Sequence, residues 1–206
     1  TFKDLHYFKS KGVRLIRFPF RWERVQHEVN GPLDMELDMK KIKEVIAEAE
    51  RIGMYVMLDM HDYCRRNVDG VTCKISDSGK LTKEHLADVW EKIAVECQMY
   101  KNIWGYDIMN EPYGLDKGVW YSTAQAVIDA IRTVDMQTPI VIEGESYASS
   151  STWPSTGGGL IGLNDPANNL IFQAHCYFDK DKSGHYNLGD FDKEVSDPQQ
   201  HIKRLQ

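Results

Sequence analysis

The chain alternates between short apolar runs and longer segments in which apolar residues recur at helical spacing. The short runs predict strands at 13–20, 55–60, 104–109, 140–142 and 170–174. Between them the apolar side chains recur about every 3.6 residues, which predicts helices that bury one face. Near-continuously apolar strands that alternate with helices are typical of a parallel sheet covered by helices.

Capping residues set the expected starts of the helices. One helix is predicted from about Asp38, and Thr82 is expected to cap the next. Ser122 or Thr123 is expected to cap the helix that follows 104–109. Pro198 is expected to begin a final helix, because proline is favoured in the first helical turn.

Alternation alone leaves two architectures open, a closed barrel and an open doubly wound sheet. The first strand-to-helix connection lacks the Gly-x-Gly-x-x-Gly cradle that binds a dinucleotide phosphate, which removes the main support for a nucleotide-binding open sheet. No internal repeat, heptad or low-complexity linker interrupts the pattern. We therefore expect the 206 residues to form a single domain spanning 1–206.

Composition narrows the range of partners. The chain is 42% hydrophobic and 27% charged, which is ordinary for a globular protein, and its formal net charge is −6. An acidic chain with interspersed charges argues against nucleic acid. No apolar run reaches the roughly 18 residues that span a bilayer, so no membrane partner is expected. The chain opens at Thr1 without a signal segment, but a missing initiator Met suggests processing and leaves secretion open.

The four cysteines match no zinc-binding spacing, since no Cys-x-x-Cys pair is present. Cys64 and Cys73 flank a polar loop, where a local disulfide is a hypothesis for an oxidising compartment. Cys97 and Cys176 are predicted to be buried free thiols.

Residues 179–190 imitate the beginning of a calcium-binding loop. Asp190 stands where such a loop carries Glu, and a strand rather than a helix precedes the segment. Calcium is therefore disfavoured, and no metal or cofactor is expected.

Polar and titratable side chains lie within or directly after the predicted strands. Arg17 interrupts an apolar run, and a buried arginine needs specific partners. In parallel α/β barrels the carboxyl ends of the strands form the floor of the active site, so side chains there are candidates for chemistry. The candidates at or near strand ends are Arg17, His61, Asn110, Glu111, His175 and Tyr177.

These segments together resemble glycoside hydrolases of family 5, the cellulase or endoglucanase family, over nearly the whole chain. Ile-Arg-Phe-Pro-Phe-Arg-Trp is similar to the family's second strand and Leu-Asp-Met-His-Asp-Tyr to its third. Asn-Glu-Pro is similar to its fourth strand and His-Cys-Tyr to its sixth. Val-Ile-Glu-Gly-Glu-Ser-Tyr resembles the fungal-type endoglucanase branch. His61-Asp62 departs from the His-Asn of many members, so that contact is expected to differ.

The resemblance implies a (β/α)8 TIM barrel, of which this chain would supply a partial barrel of about strands 2 to 6. It also implies cleavage of β-1,4-glycosidic bonds with retention of configuration. Glu111 would be the general acid/base, with a pKa raised by burial and a nearby carboxylate. Asn110 would bind the sugar 2-hydroxyl, and Arg17 would orient the nucleophilic carboxylate.

The remaining candidates are expected to bind the sugar or to support the catalytic carboxylates. By resemblance, His61, His175 and Tyr177 would hold sugar hydroxyls or support the carboxylates. Aromatic rings pack against the C–H faces of sugars, which makes three aromatic residues candidate stacking platforms. These are Trp22, Tyr147 and Trp153.

The family's nucleophile is a glutamate at the end of a seventh strand, and no residue here matches it. Glu143 and Glu145 are weaker candidates for that role. We therefore expect this chain to be inactive by itself and a complementary segment to close the barrel. The expected partner is a β-1,4-linked polysaccharide such as cellulose, met outside the cell. A β-mannanase, a xyloglucanase and a non-catalytic carbohydrate-binding barrel fragment remain alternatives.

Overall fold

A computed structural model describes residues 1–76, 79–179, 183–186 and 203. It contains one five-stranded parallel sheet and one two-stranded antiparallel hairpin. The strands are β1 Leu15–Phe20, β2 Tyr55–Met60, β3 Arg65–Val68, β4 Val71–Lys74, β5 Ile103–Asp107, β6 Ile140–Glu143 and β7 Leu170–Gln173. The helices are α1 Phe2–Ser10, α2 Trp22–Val25, α3 Asp38–Arg51, α4 Lys83–Cys97, α5 Val119–Arg132 and α6 Trp153–Thr156, followed by a 3-10 helix at Gly157–Gly162.

The parallel strands follow one another in the order β1, β2, β5, β6, β7. Leu15 pairs with Tyr55 and Ile140 with Leu170, so neighbouring strands keep a common direction. Helices α3, α4 and α5 each connect two adjacent strands of this sheet. The sheet with its helices is a partial TIM barrel, as the sequence predicts. The predicted final helix at Pro198 lies outside the described residues.

The core lies between the sheet and its covering helices. In α3 the side chains of Ile42, Ile46 and Ala49 are buried, which confirms the predicted stripe. In α4 the indole N–H of Trp90 donates to the carbonyl oxygen of Ile108, so this large apolar ring is buried without an unmet donor. Each such fully buried apolar side chain contributes about 1.5–3 kcal/mol relative to an exposed one.

Helix α5 begins earlier than its capping residues predict. Its N-cap is Gly118 rather than Ser122 or Thr123, and both hydroxyls donate instead to the carbonyl oxygen of Val119. Trp120 in the first turn is fully buried, and its indole N–H donates to the carbonyl oxygen of Glu143. Tertiary packing of this tryptophan therefore overrides the local capping signal.

The hairpin β3–β4 replaces the polar loop expected after the second strand. Its turn is formed by Asp69 and Gly70, both with positive φ of 52° and 79°. An Asp-Gly pair between two short strands is the usual signal for such a turn. All four cysteines are free thiols, so the hypothesis of a Cys64–Cys73 disulfide is wrong: Cys73 pairs with Arg66 in the hairpin register while Cys64 is buried in the core.

Within the described ranges, no helix combines the length and apolar content that crossing a bilayer requires.

Candidate active site

Arg17 is the centre of a buried charge cluster at the carboxyl end of the sheet. Its guanidinium contacts Asp59 at 2.9 Å, Asp107 at 2.8 Å and Glu143 at 2.9 Å. It also donates to Oδ1 of Asn110 at 2.9 Å. The three carboxylate side chains are at most 1% exposed, so their charges need this cation.

Glu111 lies beyond the end of β5 because the chain continues in extended form past Asp107. The Ile108 N–H donates to Val141 and the Asn110 N–H to Met60, which holds this segment between β6 and β2. Glu111 then turns into the left-handed region with φ of 46°. Non-glycine residues held there cost about 1–3 kcal/mol, and such strain clusters at functional sites.

The carboxylate of Glu111 is held by two side chains that follow β7. Its Oε1 lies 2.6 Å from Nδ1 of His175, and the hydroxyl of Tyr177 donates to it at 2.9 Å. His175 is brought there by backbone pairing: its N–H donates to Ala148 and its carbonyl oxygen accepts from Ser150. The structure therefore brings three predicted candidates into direct contact.

His61 lies on the opposite side of the cluster, after β2. Its Nδ1 is 2.7 Å from Oδ2 of Asp59, and its Nε2 is 3.3 Å from the hydroxyl of Tyr63. The Asp62 carboxylate accepts from the backbone N–H of Trp22 and pairs with Arg21. Asp62 thus supports the backbone after β1.

The pKa of Glu111 differs from expectation. Burial acts to raise it, but hydrogen bonds from His175 and Tyr177 outweigh burial, so the pKa of Glu111 lies below its ordinary value. Burial likewise acts to lower the pKa of His175, yet the carboxylates of Glu111 and Glu143 outweigh it and raise that pKa to about 10. The prediction of a raised Glu111 pKa is wrong because its nearest charged neighbour is a cation.

An open cleft of about 610 Å³ exposes this carboxylate to solvent. Its described lining consists of Glu111, Ser146, Tyr147, Ser149, Thr152, Tyr177, Ser183 and His185. Tyr147 is 47% exposed and stacks on Tyr113 with a ring-centroid distance of 4.3 Å. On the other side of Tyr113 lies the guanidinium of Arg65, 3.8 Å from the ring centroid. Tyr147 therefore presents an exposed face on a rigid support.

One of the three predicted stacking platforms, Trp22, is wrong. Trp22 is fully buried, donates its indole N–H to Gln26 and packs in the core. Trp153 is half-buried and its ring packs closely against Gly144. A Cβ atom added to that glycine would lie only 2.9 Å from the Trp153 ring. Trp153 is not among the described residues that line this cleft, and its role as a platform stays a prediction.

Asp59, Asp107 and Gln173 belong to the cluster but were not predicted. Gln173 donates to Glu143 at 2.7 Å and to Asp107 at 3.2 Å. The two aspartates interrupt apolar runs in the same way as Arg17, which is a signal that could have identified them. Glu143 is wholly buried and bonded on both oxygens, which rules out the weaker candidacy of this residue as nucleophile.

Within the described ranges, no set of three or more His, Cys, Asp and Glu side chains is arranged to hold a metal ion. The disfavoured calcium loop at 179–190 extends outside the described residues.

A family model described as Cellulase (glycosyl hydrolase family 5) matches residues 3–205. The chain belongs to glycosyl hydrolase family 5. A crystal structure of Pseudomonas stutzeri endoglucanase Cel5A in complex with cellobiose superposes with a TM-score of 0.88 at 40% identity, covering 100% of this chain and 62% of that one. A structure of XacCel5A in complex with cellopentaose has a TM-score of 0.81 at 37% identity, covering 90% and 59%.

Among curated relatives, endoglucanase EG-II of Hypocrea jecorina is 27% identical over 186 residues. That alignment covers 87% of this chain and 43% of the relative, so the chain spans about half the length of the curated relatives it matches. The resemblance to family 5 inferred from the motifs is confirmed.

Proposed function

We propose that the protein is a retaining endo-β-1,4-glucanase in which Glu111 is the general acid/base. The observation that carries this proposal is the Glu111 carboxyl group on the floor of an open cleft, with His175 and Tyr177 both bonded to Oε1. Family membership and the likeness to endoglucanases with bound cellobiose and cellopentaose support a β-1,4-glucan as substrate.

Glu111 would act twice in such a reaction. It first donates a proton to the leaving glycosidic oxygen, and it later removes a proton from the water that hydrolyses the glycosyl-enzyme. The two hydrogen bonds on Oε1 favour the ionised form needed in the second step. Burial by a bound sugar opposes them and favours the protonated form needed in the first step.

Other site residues would bind the sugar or hold the carboxylates. Asn110 is 1% exposed and is the residue proposed to bind the sugar 2-hydroxyl. Arg17 orients it by donating a hydrogen bond to the Asn110 amide oxygen. Tyr147 is proposed as the stacking platform. His61 is proposed to support Asp59 and to meet sugar hydroxyls through its half-exposed edge.

We also propose that the nucleophilic carboxylate comes from outside the described residues. A retaining enzyme needs two carboxyl groups about 5–5.5 Å apart, and the buried Glu143 does not meet that need. A TIM barrel has eight strands, so a complementary segment would pair beyond β1 and β7 and bring the second carboxylate. Because cellulose is an insoluble polymer, the enzyme would work outside the cell.

The test is release of reducing ends from carboxymethylcellulose by the full-length protein and its Glu111→Gln variant. We expect Glu111→Gln to lower kcat by about 10²–10⁴-fold, since general acid–base catalysis supplies gains of that order. The 206-residue chain alone should show no turnover. Unchanged turnover in Glu111→Gln would remove Glu111 from this role, and activity of the short chain would contradict the missing nucleophile.

Mannan and xyloglucan, assayed in parallel, separate the related activities. Preferential cleavage of either would replace the glucanase assignment with a mannanase or a xyloglucanase. Binding of all three polymers without cleavage would indicate a non-catalytic carbohydrate-binding barrel.

A further inference from the structure

Glu143, the last residue of β6, joins the proposed acid/base to the rest of the sheet. Its side chain is fully buried, and its Oε1 accepts from Arg17 at 2.9 Å and from Gln173 at 2.7 Å, and lies 3.0 Å from Nε2 of His175. Its Oε2 accepts from the backbone N–H of Glu111 at 2.6 Å. Three hydrogen-bond donors and one imidazole nitrogen therefore surround this buried carboxylate.

The bond to the Glu111 N–H acts on a strained turn. Glu111 has φ of 46°, and a glutamate gains nothing locally from the left-handed region. A short hydrogen bond to a charged acceptor is about twice as strong as a neutral one, so it offsets this strain. The next residue, Pro112, is also fixed, because its carbonyl oxygen accepts a hydrogen bond from the N–H of Tyr147.

Glu143 also fixes the ring that holds the Glu111 side chain. His175 lies between two carboxylates, with Nδ1 2.6 Å from Glu111 and Nε2 3.0 Å from Glu143. With both nitrogens engaged by acceptors, the ring is held in one orientation and its charged form is favoured. Glu143 therefore contacts the backbone of Glu111 directly and its carboxylate through His175.

We propose that Glu143 is the positioning residue of the acid/base, setting both the backbone turn of Glu111 and the charge and orientation of His175 without touching the sugar. This inference rests on the acid/base role of Glu111 proposed above. The charged and titratable groups that face Glu143 and His175 are Arg17 from β1, Cys64 after β2, Asp107 from β5, Glu111, and Tyr177 after β7.

The variant is Glu143→Gln, which keeps the size of the side chain and removes its charge. The matched control is Asp165→Asn. The Asp165 side chain is 2% exposed, pairs with Arg132 and accepts from the backbone N–H groups of Ala167 and Asn169. It lies before β7, at the opposite end of that strand from His175. It therefore matches Glu143 in burial and in the kind of partner but not in location.

Nitrogen-15 NMR of histidine in the full-length protein measures the charge of His175. We expect the wild type and Asp165→Asn to show a doubly protonated ring at pH 8. In Glu143→Gln the pKa of His175 should fall by more than about 1 unit, since loss of an adjacent opposite charge shifts a pKa by 1–3 units. The Glu111 amide proton should also move upfield in that variant alone.

Kinetics on carboxymethylcellulose give the second readout. Glu143→Gln should lower kcat at least about tenfold while KM changes less than about threefold, because a positioning residue acts on the chemical step rather than on sugar binding. Asp165→Asn should change neither. An unmoved His175 resonance in folded Glu143→Gln, or equal loss of kcat in the control, would overturn the proposal.

Two further outcomes are also decisive. If Glu143→Gln does not fold, a wild-type His175 that titrates near its ordinary value of about 6.5 overturns the proposal, and a charged ring at pH 8 supports it. If the wild type lacks glucanase activity, the proposed function fails, while the NMR comparison still decides whether Glu143 sets His175 and the Glu111 turn.

Discussion

Replacing Arg17 with methionine should reveal how much the fold depends on one cation. Arg17 faces Asp59, Asp107 and Glu143, and these three carboxylates are at most 1% exposed. Methionine matches most of the apolar stem but leaves the carboxylates without a counterion. Breaking a buried pair by removing one partner costs about 3–5 kcal/mol, and here three partners are affected. We expect at least that loss in the free energy of unfolding at pH 7.5.

The loss should depend on pH in a defined direction. Burial raises the pKa of Asp107, Glu143 adds to this rise, and Arg17 opposes it. Without Arg17 the folded-state pKa rises further above the unfolded value of about 3.9. Between the unfolded-state pKa and the higher folded-state pKa, a carboxyl group is protonated in the folded protein and ionised in the unfolded one. The free energy of unfolding therefore falls as the pH rises through that range. The wild-type Asp107 pKa is about 8, so the wild type loses this proton when the pH rises from 7.5 to 9.5 while the variant keeps it. The deficit of Arg17→Met should therefore widen over that range.

Urea unfolding of the wild type and Arg17→Met at both pH values measures this effect. The control is Arg24→Met, because Arg24 is 60% exposed and makes a bidentate pair with Asp38 at the surface. Such pairs contribute about 0–1 kcal/mol, so the control should change little. A deficit below about 1 kcal/mol for Arg17→Met, or an equal deficit at pH 7.5 and 9.5, would refute the reasoning.

Three further substitutions separate packing from sugar binding and test the Glu111 pKa. Tyr147→Ala should weaken cello-oligosaccharide binding by about five- to tenfold in calorimetric titration, because stacking contributes about 1 kcal/mol. Trp22→Phe should leave binding unchanged and lower the free energy of unfolding by roughly 1–3 kcal/mol, and the reverse pattern would restore Trp22 as a platform. Tyr177→Phe removes one of two donors from Glu111, so the pKa of Glu111 should rise and the alkaline limb of the kcat/KM profile should move up by about 0.5–1 pH unit. A downward shift would contradict that assignment.

Most elements of the fold could be read from local patterns. Helix α3 and strand β2 have bounds that match the apolar spacing closely, because periods of 3.6 and the length of an apolar run are properties of neighbouring residues. Helix α5 begins earlier than its capping residues predict, since burial of Trp120 is a tertiary effect.

Local patterns also predicted part of the candidate site. Arg17 stands out as a charge inside an apolar run, and the structure gives it three buried carboxylate partners. Trp22 and Tyr147 both follow a strand, yet one is fully buried and the other is 47% exposed. Nothing in their immediate neighbours distinguishes them, because exposure depends on which distant segments pack over a ring.

The sequence by itself determined the alternation of strands and helices, the family and the identity of Glu111 as a candidate acid/base. Only the tertiary structure decided that Glu143 accepts from the Glu111 N–H and that His175 lies between their carboxylates. These contacts join residues 32 and 64 positions apart. They depend on the register of three parallel strands, and register is set by the packing of the whole sheet rather than by any local run of residues.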